Sequence, residues 1–331
     1  MTDHSKRTRV GVVGVGHLGK QHLHHLLQIP HAECVGFHDI DSERSRLMAA
    51  TSGAHPFSSL KELIDASEAV LVVVPTGDHF PVAEACIEGG RHVFLEKPMC
   101  ETVSEADRLL ALAKRKSVLI QVGHIERLNP ALLALDEIPV QPKYIESHRL
   151  ASYSVRGTDV PVVLDLMIHD LDVIMSLVKS PVKSVHASGV SIMTKSVDVA
   201  NARLRFENGC VANITSSRIA KTSVRKLRIF QQEMYVTIDF LLGLTEVYRI
   251  LDGQDKDPSA VVTAPLDQDG SHRQIVYEKP EVRNINALRF ELENFVESVQ
   301  GDSRPIVSGE EGREALRIAI LVQEQIEQDI H

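Results

Sequence analysis

The sequence predicts two domains of different fold class. The first is an α/β domain built on a doubly wound parallel sheet, and the second is an α+β domain with a largely antiparallel, open-faced sheet. Up to about residue 123, short runs rich in β-branched residues alternate with helical stretches, which is typical of a parallel sheet with crossover helices. Beyond that point, strand-like runs follow one another directly. We place the domains at 1–123 and 124–308, and we expect a final helix at 309–328 to pack back on the first domain.

In the first half, strands and helices alternate. The strands are predicted at 9–13, 33–38, 69–74, 92–95 and 118–122, and the helices at 18–28, 42–51, 81–88 and 104–114. Thr102 and Glu105 have capping-box spacing, in which each side chain accepts from the other residue's backbone N–H group, so they mark the start of the last helix. Asn129 followed by Pro130 is typical of an N-cap that opens a short connecting helix.

The second half contains one helix followed by a series of strands. The helix is predicted at 163–178, and the strands at 182–193, 200–206, 209–217, 224–231 and 234–240. Asn208-Gly209 is a tight-hairpin signal, and alternating apolar residues around it indicate strands with one buried face. Residues 252–271 are predicted to form a surface loop, and two helices at 286–300 and 309–328 close the chain.

The strongest motif is Gly14-Val-Gly16-His-Leu-Gly19, which lies between the first predicted strand and the first predicted helix. Gly14 suits the tight turn, Gly16 lets the backbone approach a pyrophosphate, and Gly19 allows the helix to pack closely on the strand. The N-terminus of that helix offers free N–H groups to phosphate. A flexible turn is the alternative, but the strand, the helix and a suitably spaced acid agree on a Rossmann dinucleotide-binding domain.

That acid is Asp39, twenty residues beyond Gly19 at the end of the second strand. Its carboxylate suits the two ribose hydroxyls of an adenosine and would repel a 2′-phosphate, so NAD is favoured over NADP. Arg44 and Arg46 keep NADP as the less favoured cofactor. The alternative is that Asp39 only ends a strand and caps the next helix, a task that Asp41 could also perform.

Composition excludes several classes of partner. A net charge of −9 and a pI near 6.0 argue against nucleic acid or an anionic membrane. No apolar run approaches the ~20 residues that span a bilayer, and residues 1–9 are too polar for a secretory signal. Four scattered cysteines fit a reducing cytoplasm, which is the location we expect. The early histidines are interpreted as a solvated helix face and no metal is expected; they are His17, His22, His24, His25 and His31.

Three further motifs give the chain a family resemblance. They are Val74-Pro75-Thr76 followed by His79, the tripeptide Glu96-Lys97-Pro98 after a strand, and Asp165 with His169 four residues apart on the first helix of the second half. Together with the glycine turn, they resemble the Gfo/Idh/MocA family of sugar oxidoreductases over nearly the whole length. The resemblance implies a cis Lys97–Pro98 bond and the catalytic residues Lys97, Asp165 and His169. It also implies a cofactor-binding set of Gly14, Gly16, His17, Leu18, Gly19, Asp39, Pro75, Thr76, His79, Glu96 and Lys97.

The implied chemistry is the oxidation of a secondary alcohol, which needs a base for the hydroxyl proton. A histidine such as His169 has a suitable intrinsic pKa, and the Lys97 ammonium would stabilise the developing alkoxide. Asp165 would orient the substrate or the imidazole. The sequence leaves open which of Lys97 and His169 takes the proton. An Asp–His pair on a helix can also be a plain surface pair, an interpretation that the neighbouring motifs oppose.

Residues 121–130 bear on the substrate, a sugar or UDP-sugar. This stretch looks like its counterpart in UDP-N-acetylglucosamine 3-dehydrogenases, and Arg127 could hold a diphosphate in bidentate fashion. The alternative is a helix-entry loop in which Glu126 pairs with Arg127 and Asn129 caps. The predicted substrate-binding residues are Lys97, His124, Arg127, Asn129, Arg156, Asp165 and His169, and Arg149, Arg218 and Lys221 are further phosphate candidates.

The motifs allow three functions. They are a dehydrogenase acting on a sugar ring hydroxyl, a glycosidase that uses NAD without net redox, and a non-catalytic NAD or sugar sensor. The intact Lys97, Asp165 and His169 set argues against the sensor. We also expect a homodimer or homotetramer formed through the second-domain sheet. That expectation rests on an excess of apolar residues, because an uncovered apolar sheet face usually marks an interface. The predicted strands carry more of them than one buried face needs, namely Val224, Leu227, Ile229, Met234, Val236 and Ile238.

Overall fold

A computed structural model of the chain describes residues 7–153, 160–252, 260–268 and 271–330. The chain divides into two compact units. Unit 1 comprises Met1–Ile125 and Asn286–Arg317, and unit 2 comprises Glu126–Ile285 and Ile318–His331. Among the described residues, no helix combines the length and apolar character that crossing a membrane requires.

Unit 1 contains a five-stranded parallel sheet, which confirms the predicted α/β class. Its strands are β1 (Thr8–Val13), β2 (Ala32–His38), β3 (Ala69–Val72), β4 (His92–Glu96) and β5 (Ile120–Gly123). Their order is β2-β1-β3-β4-β5, and every pair is parallel. The strand order reverses between β1 and β3, so the carboxyl ends of these two strands border the crevice where doubly wound sheets bind ligands.

The helices of unit 1 follow the predicted alternation with two differences. They are α1 (Gly19–Leu26), α2 (Ser42–Ser52), α3 (Leu60–Ala66), α4 (Thr76–Glu88) and α5 (Val103–Lys116). The capping box of Thr102 and Glu105 is present at α5. Helix α3 was not predicted, although Ser59 accepts from the backbone of Glu62 in the same cap spacing. Helix α4 begins before Pro81, which lies inside it rather than at its start.

Unit 2 is built around a nine-stranded, mainly antiparallel sheet, as the sequence predicted. After the short helix α6 (Pro130–Leu133) come β6 (Tyr144–Leu150), α7 (Ile168–Val178), β7 (Val182–Val190), β8 (Val199–Phe206), β9 (Val211–Ser217), β10 (Val224–Gln231), β11 (Met234–Asp239), β12 (Leu244–Asp252), β13 (Val262–Gln268) and β14 (Ser271–Glu278). The order is β13-β14-β12-β11-β10-β6-β9-β8-β7. Only β6 and β9 pair in parallel among these strands.

Two predictions about this sheet are wrong. Strand β13 occupies Val262–Gln268, where a surface loop was expected. It is an edge strand that accommodates Pro265, because an edge N–H group is not needed by a neighbour. Strands β6, β12 and β14 were also missed.

Five of the six apolar positions that were taken to exceed one sheet face share the buried face. Leu227 pairs with Ile238, and Ile229 pairs with Val236, and all four side chains are fully buried. Met234 lies on the same face, whereas Val224 alternates to the other. The expectation of an uncovered apolar face formed by these residues is therefore wrong, because the spacing within each strand puts five of the six on the buried side.

The opposite face carries a row of aromatic rings. Consecutive rings along the row have centroids 5.6, 4.8, 5.8 and 4.8 Å apart, and the residues are Tyr144, Phe230, Tyr235, Tyr248 and Tyr277. Charged and hydroxyl groups lie beside this row, such as Arg228 paired with Glu146 at 3.6 Å.

Two helices end the chain, α8 (Ala287–Gln300) and α9 (Gly309–Ile330). Leu292, Phe295 and Val296 of α8 are buried in the core of unit 1 together with Val10 and Val12 of β1. This packing groups residues 286–308 with unit 1, whereas the sequence argument had assigned them to the second domain. The first turns of α9 lie on β5, since a Cβ atom at Gly312 would come within 2.4 Å of Val122 Cγ2.

Candidate active site

The glycine turn joins β1 to α1 at the carboxyl edge of the unit 1 sheet. Gly14 has a φ of +85°, and a Cβ atom there would lie 2.4 Å from the carbonyl oxygen of Val73. A Cβ atom at Gly19 would lie 2.0 Å from the carbonyl oxygen of Gly14, so a side chain is excluded there too. At Gly16, by contrast, a Cβ atom would meet nothing within 4 Å. The turn is thus closed on the protein side and open at Gly16, which suits a backbone that approaches a pyrophosphate.

Asp39 follows β2 and binds back to this turn. Its Oδ2 accepts the N–H of Val15 at 2.8 Å, and its Oδ1 accepts the N–H of Asp41 at 2.9 Å. Arg44 of α2 donates Nη1 to both oxygens, at 3.1 and 3.2 Å. Burial by itself raises the pKa of the Asp39 carboxyl, but these donors outweigh it and hold the pKa below its usual value.

Asp39 is therefore an ionised acceptor beside the glycine turn. Asp41 is the N-cap of α2, because its Oδ1 accepts from the backbone of Arg44 at 3.0 Å. The alternative that Asp39 serves as the helix cap is thus ruled out. The two other residues proposed beside the turn, His17 and Leu18, are both exposed at the start of α1.

Glu96 ends β4 and Lys97 follows it at the same sheet edge, with a cis Lys97–Pro98 bond as expected. The Nε2 of His22, on α1, lies 2.8 Å from Glu96 Oε1. The second oxygen, Oε2, accepts the N–H of Lys97 at 3.2 Å. Burial raises the pKa of Glu96, but the hydrogen bond and charge of His22, with the charge of Lys97, outweigh it and lower that pKa.

One of the early histidines, His22, is buried, whereas a solvated helix face was expected for them. It is 1% exposed and its ring lies 5.5 Å from that of Phe94, so it does not belong to a solvated helix face. Among the described residues, no group of three or more His, Cys, Asp or Glu side chains is arranged to hold a metal ion.

His79 lies in α4, close behind Pro75 and Thr76, which begin that helix. Its Nδ1 is 2.9 Å from the carbonyl oxygen of Pro98, and its Nε2 is 3.0 Å from that of Val74. A neutral imidazole can donate to only one of these carbonyls, and burial lowers the pKa of His79 and favours that neutral ring. The ring thus lies between the segment after β3 and the turn after Lys97, and it donates to one of the two carbonyls.

In unit 2, Asp165 and His169 lie on the helical segment predicted for them. The segment begins with a π-helical turn at Val163–Met167, which contains Asp165, and continues as α7, which contains His169. Both residues are half-buried. A π turn inside a helix is frequent at functional sites because it re-aims side chains.

The next acids on α7 anchor the helix through buried ion pairs. Arg149 of β6 donates Nε to Asp170 Oδ2 at 2.8 Å and Nη1 to Glu126 Oε1 at 2.8 Å. Burial lowers the pKa of the Arg149 guanidinium, but the charges of Asp170 and Glu126 outweigh it and raise that pKa. Arg149 is 2% exposed, so it acts as a structural cation and not as the phosphate ligand that was considered.

Arg127 makes a second anchor on the same helix. Its Nε and Nη2 donate to the two oxygens of Asp172, both at 2.8 Å. Glu126 accepts from Arg149, and Asn129 caps α6, as one alternative had it, because its Oδ1 accepts the N–H of Ala131 at 3.1 Å. A substrate contact by Arg127 or Asn129 stays a prediction.

The remaining predicted site residues are placed as follows. His124 follows β5 and is buried. Arg218 is 6% exposed and donates to the carbonyl oxygen of Val160. Lys221 is exposed on the surface of unit 2, and Arg156 lies outside the described residues.

Comparison with protein families identifies the chain. Residues 8–124 match the model of the GFO/IDH/MocA oxidoreductase family with its NAD-binding Rossmann fold, and residues 149–236 match the family's C-terminal domain. The chain therefore belongs to the GFO/IDH/MocA family. It is an oxidoreductase that acts on a CH–OH group and uses a nicotinamide dinucleotide.

Individual relatives extend over almost the full length. The UDP-N-acetylglucosamine 3-dehydrogenase of Acidithiobacillus ferrooxidans is 33% identical over 320 residues, covering 96% of this chain and 97% of the relative. A crystal structure of that enzyme superimposes with a TM-score of 0.87 at 32% identity, covering 98% and 99% of the two chains. The myo-inositol 2-dehydrogenase of Thermotoga maritima is 26% identical over 338 residues, covering 97% of this chain and 96% of the relative.

Three interactions that hold candidate site residues within their own unit were not predicted from the sequence. They are the bond from Val15 to Asp39, the His22–Glu96 pair and the Arg149–Asp170 pair, and each joins residues distant in the chain. The sequence holds only weak signals for them. One is a histidine, His22, three residues after Gly19, and the other is a row of acids on a helix that already has a complete apolar face.

Proposed function

We propose that this protein is an NAD-dependent dehydrogenase that oxidises the C3 hydroxyl of UDP-N-acetylglucosamine to a ketone. The observation that carries the substrate is the 33% identity to an enzyme of that name, which extends over 96% of this chain. A ring-alcohol dehydrogenase is also the name of a more distant full-length relative, which supports the reaction class independently of the sugar.

NAD is the proposed cofactor because of the site that would hold it. The open backbone at Gly16 and the N-terminus of α1 would receive the pyrophosphate, and the Asp39 carboxylate would accept from the ribose hydroxyls. An ionised Asp39 disfavours a 2′-phosphate, although Arg44 on the same carboxylate reduces that repulsion.

In the proposed chemistry, His169 accepts the proton of the sugar hydroxyl and Lys97 stabilises the alkoxide that develops on the oxygen. Asp165 orients the imidazole or the sugar. A nicotinamide dinucleotide held at the glycine turn and Asp39 would supply the hydride acceptor for the carbon that carries this hydroxyl. The products are therefore a keto sugar, the reduced dinucleotide and a proton held on His169.

The anchors of α7 support this assignment. Asp170 and Asp172 are each bound by two nitrogens of a buried or nearly buried arginine, so the helix that carries His169 has little freedom to rotate. Catalytic groups need such rigid support, because a small displacement from the productive geometry costs rate.

The direct test is to incubate the protein with NAD and a panel of ring alcohols that includes UDP-N-acetylglucosamine, UDP-glucose and myo-inositol. We expect absorbance at 340 nm to rise with UDP-N-acetylglucosamine, and mass spectrometry to show a UDP-sugar that has lost two hydrogens. The same reaction with Lys97→Met is the matched control.

Other outcomes would identify the competing functions. Turnover of a glycoside without accumulation of NADH would indicate a glycosidase that uses its cofactor transiently. Binding of NAD and sugar without any turnover would indicate a sensor. Either result would refute the proposed dehydrogenase.

A further inference from the structure

A buried histidine on the phosphate-binding helix is bonded to the turn that carries Lys97. His22 lies on α1, three residues beyond Gly19, and 74 residues away in sequence from Glu96. Its Nε2 is 2.8 Å from Glu96 Oε1, and the histidine and glutamate side chains are 2% and 15% exposed. A polar contact so well shielded from water is an effective hydrogen bond.

The proton on this contact can be assigned from the partners. An ionised carboxylate only accepts hydrogen bonds, so Nε2 of His22 must carry a proton and donate it. The carboxylate is ionised because its pKa lies below the ordinary value, chiefly through His22 once the cost of burial is overcome. Nδ1 of His22 has no hydrogen-bond partner within the described residues. Among the described residues, the hydrogen bond of the His22 ring is therefore the one from Nε2 to Glu96.

The Glu96 carboxylate also binds the main chain of Lys97. Glu96 Oε1 is held by His22, and Oε2 accepts the backbone N–H of Lys97 at 3.2 Å. Gly123 of β5 closes the other side, since a Cβ atom there would lie 3.2 Å from Glu96 Cδ. On the far side of Lys97, the carbonyl oxygen of Pro98 is 2.9 Å from His79 Nδ1. The main chain of Lys97 is thus bound on one side through Glu96 and His22, and the buried ring of His79 lies against the turn on the other side.

We propose that His22 is a positioning residue: through the Glu96 carboxylate it fixes the main chain at Lys97 relative to the phosphate-binding helix α1. The inference rests on the proposed function in one respect, namely that Lys97 takes part in the reaction. It follows that His22 affects the rate of the chemical step more than it affects the affinity for NAD. The phosphates would be held by the turn at Gly14–Gly19, which His22 does not form.

Three substitutions separate a hydrogen bond at Nε2 from mere filling of space. In His22→Gln, the side-chain amide nitrogen reaches the position of Nε2 and can donate to Glu96. In His22→Asn the same amide is too short, and in His22→Leu the donor is gone while the volume is largely kept. His24→Leu is the control on the same helix, because His24 is exposed and bonds only to Gln28 among the described residues.

Three measurements read out the effect. Steady-state rates with UDP-N-acetylglucosamine give kcat, and NADH titration gives cofactor affinity. We expect kcat to fall roughly 10- to 100-fold in His22→Leu and His22→Asn, the loss typical of a misplaced reactive group. We expect His22→Gln to restore most of it, with NADH affinity unchanged in all three. Hydrogen exchange followed by mass spectrometry, which needs no substrate, should show lost amide protection at residues 95–99 in the two impaired variants and restored protection in His22→Gln.

Wild-type kcat in His22→Leu, or a loss that His22→Gln does not restore, would overturn the proposal. A parallel loss of NADH affinity would overturn it as well, since that result indicates general loosening of unit 1. Lys97→Met is measured beside these variants. If it keeps wild-type kcat, Lys97 has no part in the reaction, and if the wild type does not oxidise this sugar, the proposed function fails. In either case the exchange data alone decide whether His22 fixes the turn.

Discussion

The carboxylate of Asp39 serves the fold and the proposed cofactor at the same time. It accepts the N–H of Val15 and thereby holds the glycine turn against β2. It also forms an ion pair with Arg44, whose side chain is 46% exposed while that of Asp39 is 3% exposed. A ribose would therefore compete with Arg44 for the carboxylate, and a 2′-phosphate could use Arg44 as its partner.

This geometry predicts how cofactor preference responds to substitution. The wild type should bind NADH more tightly than NADPH. Arg44→Gln should raise the ratio of NADH affinity to NADPH affinity by about tenfold or more, because a 2′-phosphate would lose one charge-assisted hydrogen bond. Asp39→Ala should narrow the gap but weaken both cofactors, because the Val15 bond is lost too. Fluorescence titration measures the NADH and NADPH affinities of each protein, with Arg46→Gln, a 72% exposed side chain, as the control. A wild type that prefers NADPH would refute this account of Asp39.

Lys97 and His169 are predicted to act on the chemical step. Lys97→Met and His169→Ala should each lower kcat by roughly two to four decades while NAD affinity stays nearly intact. The double variant should lose less than the sum, because groups that serve one proton transfer are not additive. Steady-state NADH formation with calorimetric NAD binding checks this. A folded single variant with near wild-type turnover would remove that residue from the mechanism.

At the scale of residues, the sequence was informative where the chemistry is local. Gly14, Gly16 and Gly19 have a fixed spacing because one turn must satisfy three steric conditions at once, and this spacing is visible in the sequence. The partners of Asp39 and Glu96 were not predictable in the same way. Their distant donors, Val15 and His22, become neighbours of these carboxylates only once the strands are aligned.

At the scale of elements, the helix that contains Asp165 and His169 is held in place by buried ion pairs. Arg149 and Asp170 are each 2% exposed and form two hydrogen bonds, while Glu126 satisfies a third nitrogen of the arginine. A buried pair of this kind adds less stability than its distances suggest, because both ions are removed from water, but losing one partner is costly.

Asp170→Asn should therefore destabilise the protein by about 3–5 kcal/mol, because Arg149 stays buried without its bidentate carboxylate. Urea unfolding followed by circular dichroism measures the loss. The control is Glu293→Gln, which removes an exposed pair with Arg289 and should cost less than about 1 kcal/mol. Equal losses in the two variants would show that α7 is not anchored by this pair.

Three of the strands that were not predicted from the sequence, β6, β12 and β14, share one cause. In β6 the inward positions are Ile145, Ser147 and Arg149, so the alternation of apolar and polar residues is broken on the buried side. The same holds where Arg249 of β12 meets Glu278 of β14 at 2.6 Å. A pattern based on hydropathy finds strands such as β8 and β11, whose inward residues are apolar, and overlooks strands that bury paired charges.

At the scale of the whole molecule, assembly through the unit 2 sheet is still a prediction, now on different grounds. The face opposite the buried one carries the row of five aromatic rings, and Phe230 and Tyr248 are each 37% exposed. Aromatic side chains lose little conformational entropy on burial and are enriched in protein interfaces. This face therefore suits a second copy of the same sheet.

We expect light scattering at micromolar concentration to give the mass of a dimer or tetramer. Phe230→Asp combined with Tyr248→Asp should shift the mass to that of a monomer, since two desolvated charges would oppose association. Val262→Asp, at a 57% exposed position on the edge strand β13, is the control. A wild-type monomer would exclude assembly through this face.

The central claim is that hydride leaves C3 of the sugar for the nicotinamide, and isotope transfer tests it most directly. The protein is incubated with NAD and UDP-N-acetylglucosamine carrying deuterium at C3, and the NADH is analysed by mass spectrometry. The account predicts NADH that is one mass unit heavier, a UDP-sugar product that has lost the label, and neither change with Lys97→Met. Formation of unlabelled NADH while the sugar keeps its deuterium, or no NADH at all, would contradict it.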